Sequence, residues 1–472
     1  MAEHVVHTRL PGGLVMLGCG SIGQAALPLI LRHLDISPGR IAIVTADARG
    51  RDEAAHYGIA FHEVPLTREN HRRVLEPMVG AGDFVLNLSV DVSSTAIARF
   101  CHERGALYLD TVVEPWGGVY FDPGLSPAER SNYALREGML ELRRELGRGP
   151  TAVSAQGANP GLVSQLAREA ALIVARDTGL PHEEPTDRLG WARLFRDLGV
   201  KAIHIAERDT QVGDRPKRPG EFVNTWSIDG FVAEGCQPAE LGWGTHERHF
   251  PQGAAHHAKG CGAAIYLNRP GAGTRVRTWT PNAGPFHGFL VTHNESISIA
   301  DHLTLREGDA TLYRPTVHYA YHPCDAAVLS VHELAGRGWR PQETQHLLMD
   351  DITAGMDELG VLLMGHAKGA FWYGSQLTIE QARQLAPYNS ATSLQVAAGV
   401  LGGMVWAIEH PAAGIVEADE LDHRRVLEVA KPYLGPVVGV YSDWTPLEHR
   451  AVLFPEDVEP ADPWQFKNVL VG

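Results

Sequence analysis

The feature that most constrains this chain is a short glycine pattern and its setting. Gly18, Gly20 and Gly23 spell G-x-G-x-x-G directly after the apolar run Leu14–Leu17 and just before an apolar helix signal from Gln24 to Leu34. The first glycine permits a tight turn, and the second lets a pyrophosphate approach the backbone. The third lets helix and strand pack closely, with the helix N-terminus facing the phosphates. In this context the pattern predicts dinucleotide binding by Gly18, Gly20, Ser21, Ile22 and Gly23. The next strand signal ends at Thr45, and Asp47 follows two residues later. An acid there would hold the ribose hydroxyls and favours NAD, whereas the nearby Arg49 would admit a 2′-phosphate.

Strand-like runs continue at Ile41–Val44, Ile59–Val64, Phe84–Leu88, Ala106–Asp110 and Thr151–Ser154, with helices between most of them. Apolar strands alternating with helices make a parallel sheet covered on both faces, so residues 1–156 are expected to form a doubly wound α/β Rossmann domain. Residues 157–385 are denser in strands, glycine, aromatics and histidine. Phe222–Gly235, Ala263–Leu267, Phe286–Thr292 and Tyr313–Tyr321 are expected as extended strands of a second, α+β domain. Residues 386–430 return as a long apolar helix, Ser393–Glu409, onto the first domain, and 431–472 form a C-terminal extension.

The balance of 56 acidic against 41 basic residues gives a formal charge of −15. That disfavours nucleic acid, which needs a basic face, and suits a cationic small molecule, which an acidic cleft concentrates. The five cysteines are scattered and odd in number, which fits a reducing cytoplasm. No apolar run approaches the ~20 residues of a membrane span, and the opening residues lack a leader pattern, so a cytoplasmic protein with no membrane partner is expected.

Two loops leave strand C-termini, where ligands bind in such sheets. Asn87-Leu88-Ser89-Val90-Asp91 follows one strand, and Asp110 to Trp116 follows the next. One reading makes them helix caps and turns. The other puts Asn87, Ser89 and Thr111 at the cofactor, with Asp91 and Glu114 facing substrate. The second domain offers carboxylates beside aromatics: Glu207, Trp226, Glu234 and Asp357. A tryptophan among carboxylates can hold an ammonium by cation–π contact and ion pairing, although core packing explains a tryptophan equally well. In an extended Phe222–Gly235, Trp226 and Glu234 would share a face. His293 is a titratable candidate near the chemistry. His318 and His322 would share one strand face without any metal-site spacing, and Lys201 is the leading candidate should a Schiff base form.

At these residues the chain resembles the bacterial homospermidine synthases. The resemblance rests on TVVEPWGGVYFDP (111–123), GANPGLVS (157–164), HIAERDTQ (204–211), FVNTWSIDGFVAEG (222–235), ELGWGT (240–245), VTHNESISIAD (291–301) and MDELGVLL (356–363). It runs from the glycine loop to the closing WQFKNVLV, nearly the whole chain. It implies a saccharopine dehydrogenase-like fold in which the α+β domain, residues 157–385, is the substrate and dimerisation domain, a homodimer, and NAD as a recycled redox group. It also implies that two putrescines give sym-homospermidine and ammonia, spermidine being able to replace one putrescine. Thr45 stands where the family's ribose-binding acid is expected, with Asp47 serving instead. Carried over by motif, Trp226, Glu234, Glu207 and His293 are catalytic, Glu114, Asn159, Asp91 and Asp357 bind substrate, and no metal is required. Two other functions are compatible with a dinucleotide fold. A saccharopine or carboxynorspermidine dehydrogenase would need arginines in the cleft for its carboxylate substrates. A non-catalytic NAD-binding sensor would need no tryptophan and carboxylate constellation.

Overall fold

The computed structural model describes residues 4–472. Seven parallel strands form the first sheet. Six of them are β1 (Leu14–Leu17), β2 (Ile41–Thr45), β3 (Ala60–Glu63), β4 (Phe84–Asn87), β5 (Leu107–Asp110) and β6 (Ala152–Ser154). Their spatial order is β3-β2-β1-β4-β5-β6, and Ile415–Glu417 joins from far down the chain beside β6. The order reverses between β1 and β4, and a cleft opens there at the strand C-termini. Helix α1 (Ser21–His33) starts at this point. Gly18 has φ +85°, and a Cβ on Gly23 would lie 2.8 Å from the Gly18 carbonyl oxygen. Only glycine permits that turn and that approach.

The second sheet has ten strands in mixed order. At its centre β7 (Ala202–Asp209) lies parallel to β8 (Thr316–His322) and antiparallel to β9 (Met356–His366). Glu207 pairs with Tyr321 on one side and Leu359 on the other, while Asp357 pairs with Asp209. Because side chains alternate along strands, Glu207, Asp209, Tyr319, Tyr321 and Asp357 emerge on one face. His204 and His318 emerge on the opposite face, stacked at 4.0 Å.

The segment expected to be extended at 222–235 is not. A strand, Glu221–Asn224, gives way to helix α2 (Ile228–Cys236). The Ser227 side chain accepts a hydrogen bond from the Gly230 N–H, and Asp229 sits in the first turn, so a cap and a favourable dipole charge start the helix. The Phe286–Thr292 strand ends early, at Phe289, and Tyr313–Tyr321 is divided between Ala310–Tyr313 and β8. Helix α3 (Asn294–His302) follows the first of these. Helix α4 (Ala391–Glu409), capped by Ser390, is long and apolar enough to cross a bilayer, but 94% of that stretch is buried inside the fold. It packs against α1 and the helix His423–Ala430, tying the end of the chain to the first domain.

Candidate active site

The cleft at the reversal point has a volume of 570 Å³ and is walled by the glycine loop, the end of β2 and the loop after β4. A Cβ on Gly20 would meet nothing within 4 Å, so that backbone faces open space. Gly20 caps α1 without a side-chain hydrogen bond, which leaves the helix N–H groups free for an anionic ligand. Ser21, Ile22, Ser89 and Asp91 line the same cleft, as do Thr45 and Asp47. Asp47 accepts hydrogen bonds of 2.9 Å from both the backbone N–H and Nε of Arg49, and that guanidinium holds its carboxyl below the ordinary range. The pair offsets the cation that would attract a 2′-phosphate. Shape, glycine cradle and acid together fit a dinucleotide. Gly23 serves helix packing rather than the cleft wall. Asn87 turns inward, its Oδ1 accepting from the Ser89 N–H at 3.2 Å and its Nδ2 donating to Tyr108 at 3.3 Å.

A smaller cavity of 110 Å³ adjoins this cleft, and Ile22, Leu88, Ser89, Val90 and Ser227 line both. Thr111, Glu114, Asn159, Glu207, Trp226, Glu234 and His293 converge on it from five separate stretches of chain, and no Arg or Lys lines it among the described residues. The helical course of α2 still brings Glu234 to the cavity wall, while Trp226 stands in the loop before the helix. Trp226 is half-buried, and its Nε1–H donates to the Tyr321 hydroxyl at 2.9 Å, which fixes the indole plane.

Two of the cavity's carboxyls, Glu207 and Glu114, have neutral hydrogen-bond partners. Glu207 is buried and accepts 2.7 Å hydrogen bonds from Asn159 and from Tyr319. Burial raises its pKa, and those two donors only partly counter the effect. Glu114 accepts from the Tyr120 hydroxyl at 3.0 Å. Burial pushes its pKa to about 8, and the charges of Glu234 and Asp91 add to the rise. Asp357 does not reach the cavity. It is buried with Glu207 and Asp209 beside it, its Oδ2 accepting from Thr392 at 2.5 Å and its Oδ1 unpartnered. Burial and the two neighbouring acids, Glu207 and Asp209, raise its pKa well above the ordinary carboxylate value.

His293 lies between two glutamates, its Nε2 3.0 Å from Glu234 and its Nδ1 3.2 Å from Glu295. Burial opposes charge on the ring, but the two carboxylates outweigh it and hold the pKa at about 10. The ring is therefore an imidazolium, able to pass a proton towards Glu234. Tyr319 packs on it at 4.3 Å between ring centres.

Sequence reasoning missed Tyr319, Tyr321, Tyr120 and Glu295. The tyrosines of HYAYH alternate with the histidines, so strand parity alone carried the signal for two of them. Lys201 is elsewhere, paired with Asp462 at 3.0 Å.

Residues 14–153 match the saccharopine dehydrogenase NADP binding domain, and residues 157–440 match the saccharopine dehydrogenase C-terminal domain. The chain is 57% identical to a homospermidine synthase of Blastochloris viridis, with 100% of both chains covered. It is 51% identical to one from Mesorhizobium japonicum, covering 99% of this chain and 98% of that one. Among solved structures it is similar to the homospermidine synthase of Legionella pneumophila in complex with NAD. That match has a TM-score of 0.92 and 48% identity and covers 98% of each chain.

Proposed function

The chain belongs to the homospermidine synthase family, and we propose on that premise that its two joined cavities convert two putrescines into sym-homospermidine and ammonia. Spermidine can replace one putrescine. The observation that carries this reading is the contact between a dinucleotide-shaped cleft and a carboxylate cavity with no Arg or Lys on its wall. A substrate bearing carboxylates, as a saccharopine-type dehydrogenase takes, would be repelled there, whereas a diamine supplies the missing positive charge.

NAD, when bound, supplies reversible hydride transfer at the amine-bearing carbon. The backbone of Gly18, Gly20, Ser21 and Ile22 would hold its pyrophosphate and Asp47 its ribose, with Ser89 and Thr111 towards the substrate side. The protein's own groups do the rest. Glu207 and Glu234 take the ammonium ends of the diamine, and Asn159 orients Glu207. Trp226 offers its π face to the cationic carbon–nitrogen centre without acting as a nucleophile. Imine exchange needs one proton delivered to the departing amine and one taken from the attacking amine. The Glu234–His293–Glu295 relay has the hydrogen bonds for both. Glu114, protonated in the empty cavity and ionised beside a cation, receives the second amine.

We also infer a homodimer in a reducing compartment. The five cysteines are all free, and Leu453 and Phe454 are 85% and 77% exposed side by side, which suits a subunit contact.

The test is isotopic. With putrescine deuterated at C1 and NAD in catalytic amount, homospermidine should form without net NADH, and the label should return to the new C–N carbon. NADH produced in proportion to amine consumed would show an ordinary dehydrogenase instead.

A further inference from the structure

A second cleft, of 580 Å³, lies at the other end of α3 from His293. The helix Leu162–Thr178 brings Arg168 to it, the helix Arg188–Leu198 brings Trp191, and α3 ends there at His302. Helix α4 contributes Trp406, the turn Ala418–Glu420 contributes Asp419, and the next helix contributes His423.

Most charges around this cleft are already matched. Arg188 binds Asp301 at 2.9 Å, Glu420 binds Arg143 at 2.6 Å, and Asp187 and Asp422 cap helices. Two opposite charges attract each other across the cleft without forming an ion pair. Asp419 is 4% exposed, and its Oδ2 has no hydrogen-bond partner among the described residues. The Arg168 guanidinium lies 5.2 Å over the Trp191 ring, donates to the Leu421 carbonyl at 2.9 Å, and has no carboxylate within ion-pair distance among the described residues. His302 Nδ1 and His423 Nε2 are also buried without hydrogen-bond partners. Burial pushes both rings down to about 4, so they are neutral and add no charge.

A buried carboxylate and a guanidinium that face one cleft without touching leave room for a molecule carrying both complementary charges. An anion alone would leave Asp419 unpaired, and an amine alone would leave Arg168 unpaired. We propose that this cleft binds a free α-amino acid, its ammonium on Asp419, its carboxylate on Arg168, and its side chain against Trp191 and Trp406. The site is separate from the amine cavity and does not depend on the reaction assigned there.

The test is calorimetry on the full-length, NAD-loaded protein with each of the twenty standard amino acids, followed by the N-acetyl and methyl ester forms of any that binds. At least one amino acid should bind. Its N-acetyl form, lacking the ammonium, and its ester, lacking the carboxylate, should each bind roughly 10- to 100-fold more weakly, the size of one charge-assisted hydrogen bond. Asp419→Asn should lose a similar factor, and Glu234→Gln should lose none. Should Asp419→Asn fail to fold, the comparison of ligand forms on the unaltered protein decides. Absence of binding by all twenty would overturn the proposal, as would an ester that binds as well as its parent or a loss of binding in Glu234→Gln.

Discussion

Two groups of carboxylates are buried in this molecule, and they are wired in opposite ways. Around Arg136, which is 2% exposed, Glu417 receives Nε at 2.6 Å and Nη2 at 2.8 Å, and Asp301 receives Nη2 at 2.9 Å. That arginine sits on the helix Asn132–Leu146 and joins it to α3 and to the end of the Ile415–Glu417 strand. Its acids are compensated from within the fold. In the carboxylate cavity, Glu207 and Glu114 accept hydrogen bonds only from Asn159, Tyr319 and Tyr120; no arginine or lysine pairs with them, and the one cation on the wall, His293, is hydrogen-bonded to Glu234 and Glu295 instead. The first group is architecture. The second lacks an arginine, and burial raises its carboxyl pKa values instead; on the proposed reading a cationic ligand completes it.

Substitutions should separate the two groups. The largest effect is expected at Glu234. Glu234→Gln keeps the shape and one accepting oxygen, yet it removes the charge paired with His293 and the proton-transfer capacity. Turnover should fall by about 10²–10⁴, with NAD binding and folding intact, as steady-state rates and cofactor titration will measure. Near-normal turnover would move the relay elsewhere. Next is Arg136→Met, which strands Glu417 and Asp301 as uncompensated buried charges. Denaturant unfolding should show a loss of about 3–5 kcal/mol, whereas Glu207→Gln, which puts a neutral group of the same shape in place of a buried carboxyl without an arginine partner, should leave stability level or raise it. If both substitutions destabilise equally, the two groups are not different in kind. The smallest effect belongs to Trp226. Trp226→Phe keeps a π face and should retain part of the activity, while Trp226→Ala should lose about 0.5–2 kcal/mol of cation stabilisation plus packing. Normal turnover in the Ala variant would assign the indole to packing alone.

The same contrast explains what could be read in the sequence. The first domain was legible because its central strands β1, β2, β4 and β5 are mostly apolar, buried runs and the glycine spacing fixed where the cleft opens, whereas the seventh strand, Ile415–Glu417, lies in a segment read only as a helical return. Glu234 was legible as a candidate for the cavity wall but not in its conformation. Phe231-Val232-Ala233 reads as a strand, and the deciding contact, Ser227 on the Gly230 N–H, is a cap that competes with that reading. The pairing of His293 with Glu234 was not legible at all, since 59 residues separate them and only the tertiary fold brings the end of α2 to the residue that precedes α3. Asp357 is the reverse case. Its motif marked it as a substrate ligand, while the register of β9 against β7 puts it behind Glu207, out of reach of the cavity.

Proton counting on amine binding tests most directly whether the cavity holds protons in place of cations. With a pKa of about 8, Glu114 is largely protonated near neutrality in the empty cavity. A cation beside it lowers that pKa, so the proton must leave as the amine enters, and affinity must rise with pH until the empty cavity is itself ionised. Putrescine titrated into the NAD-loaded protein, in buffers of different ionisation enthalpy, should therefore release protons. Its affinity should increase as pH rises from about 6.5 to about 8.5. Binding with no proton release and a flat affinity across that range would mean the carboxyls are already ionised, and would contradict the account.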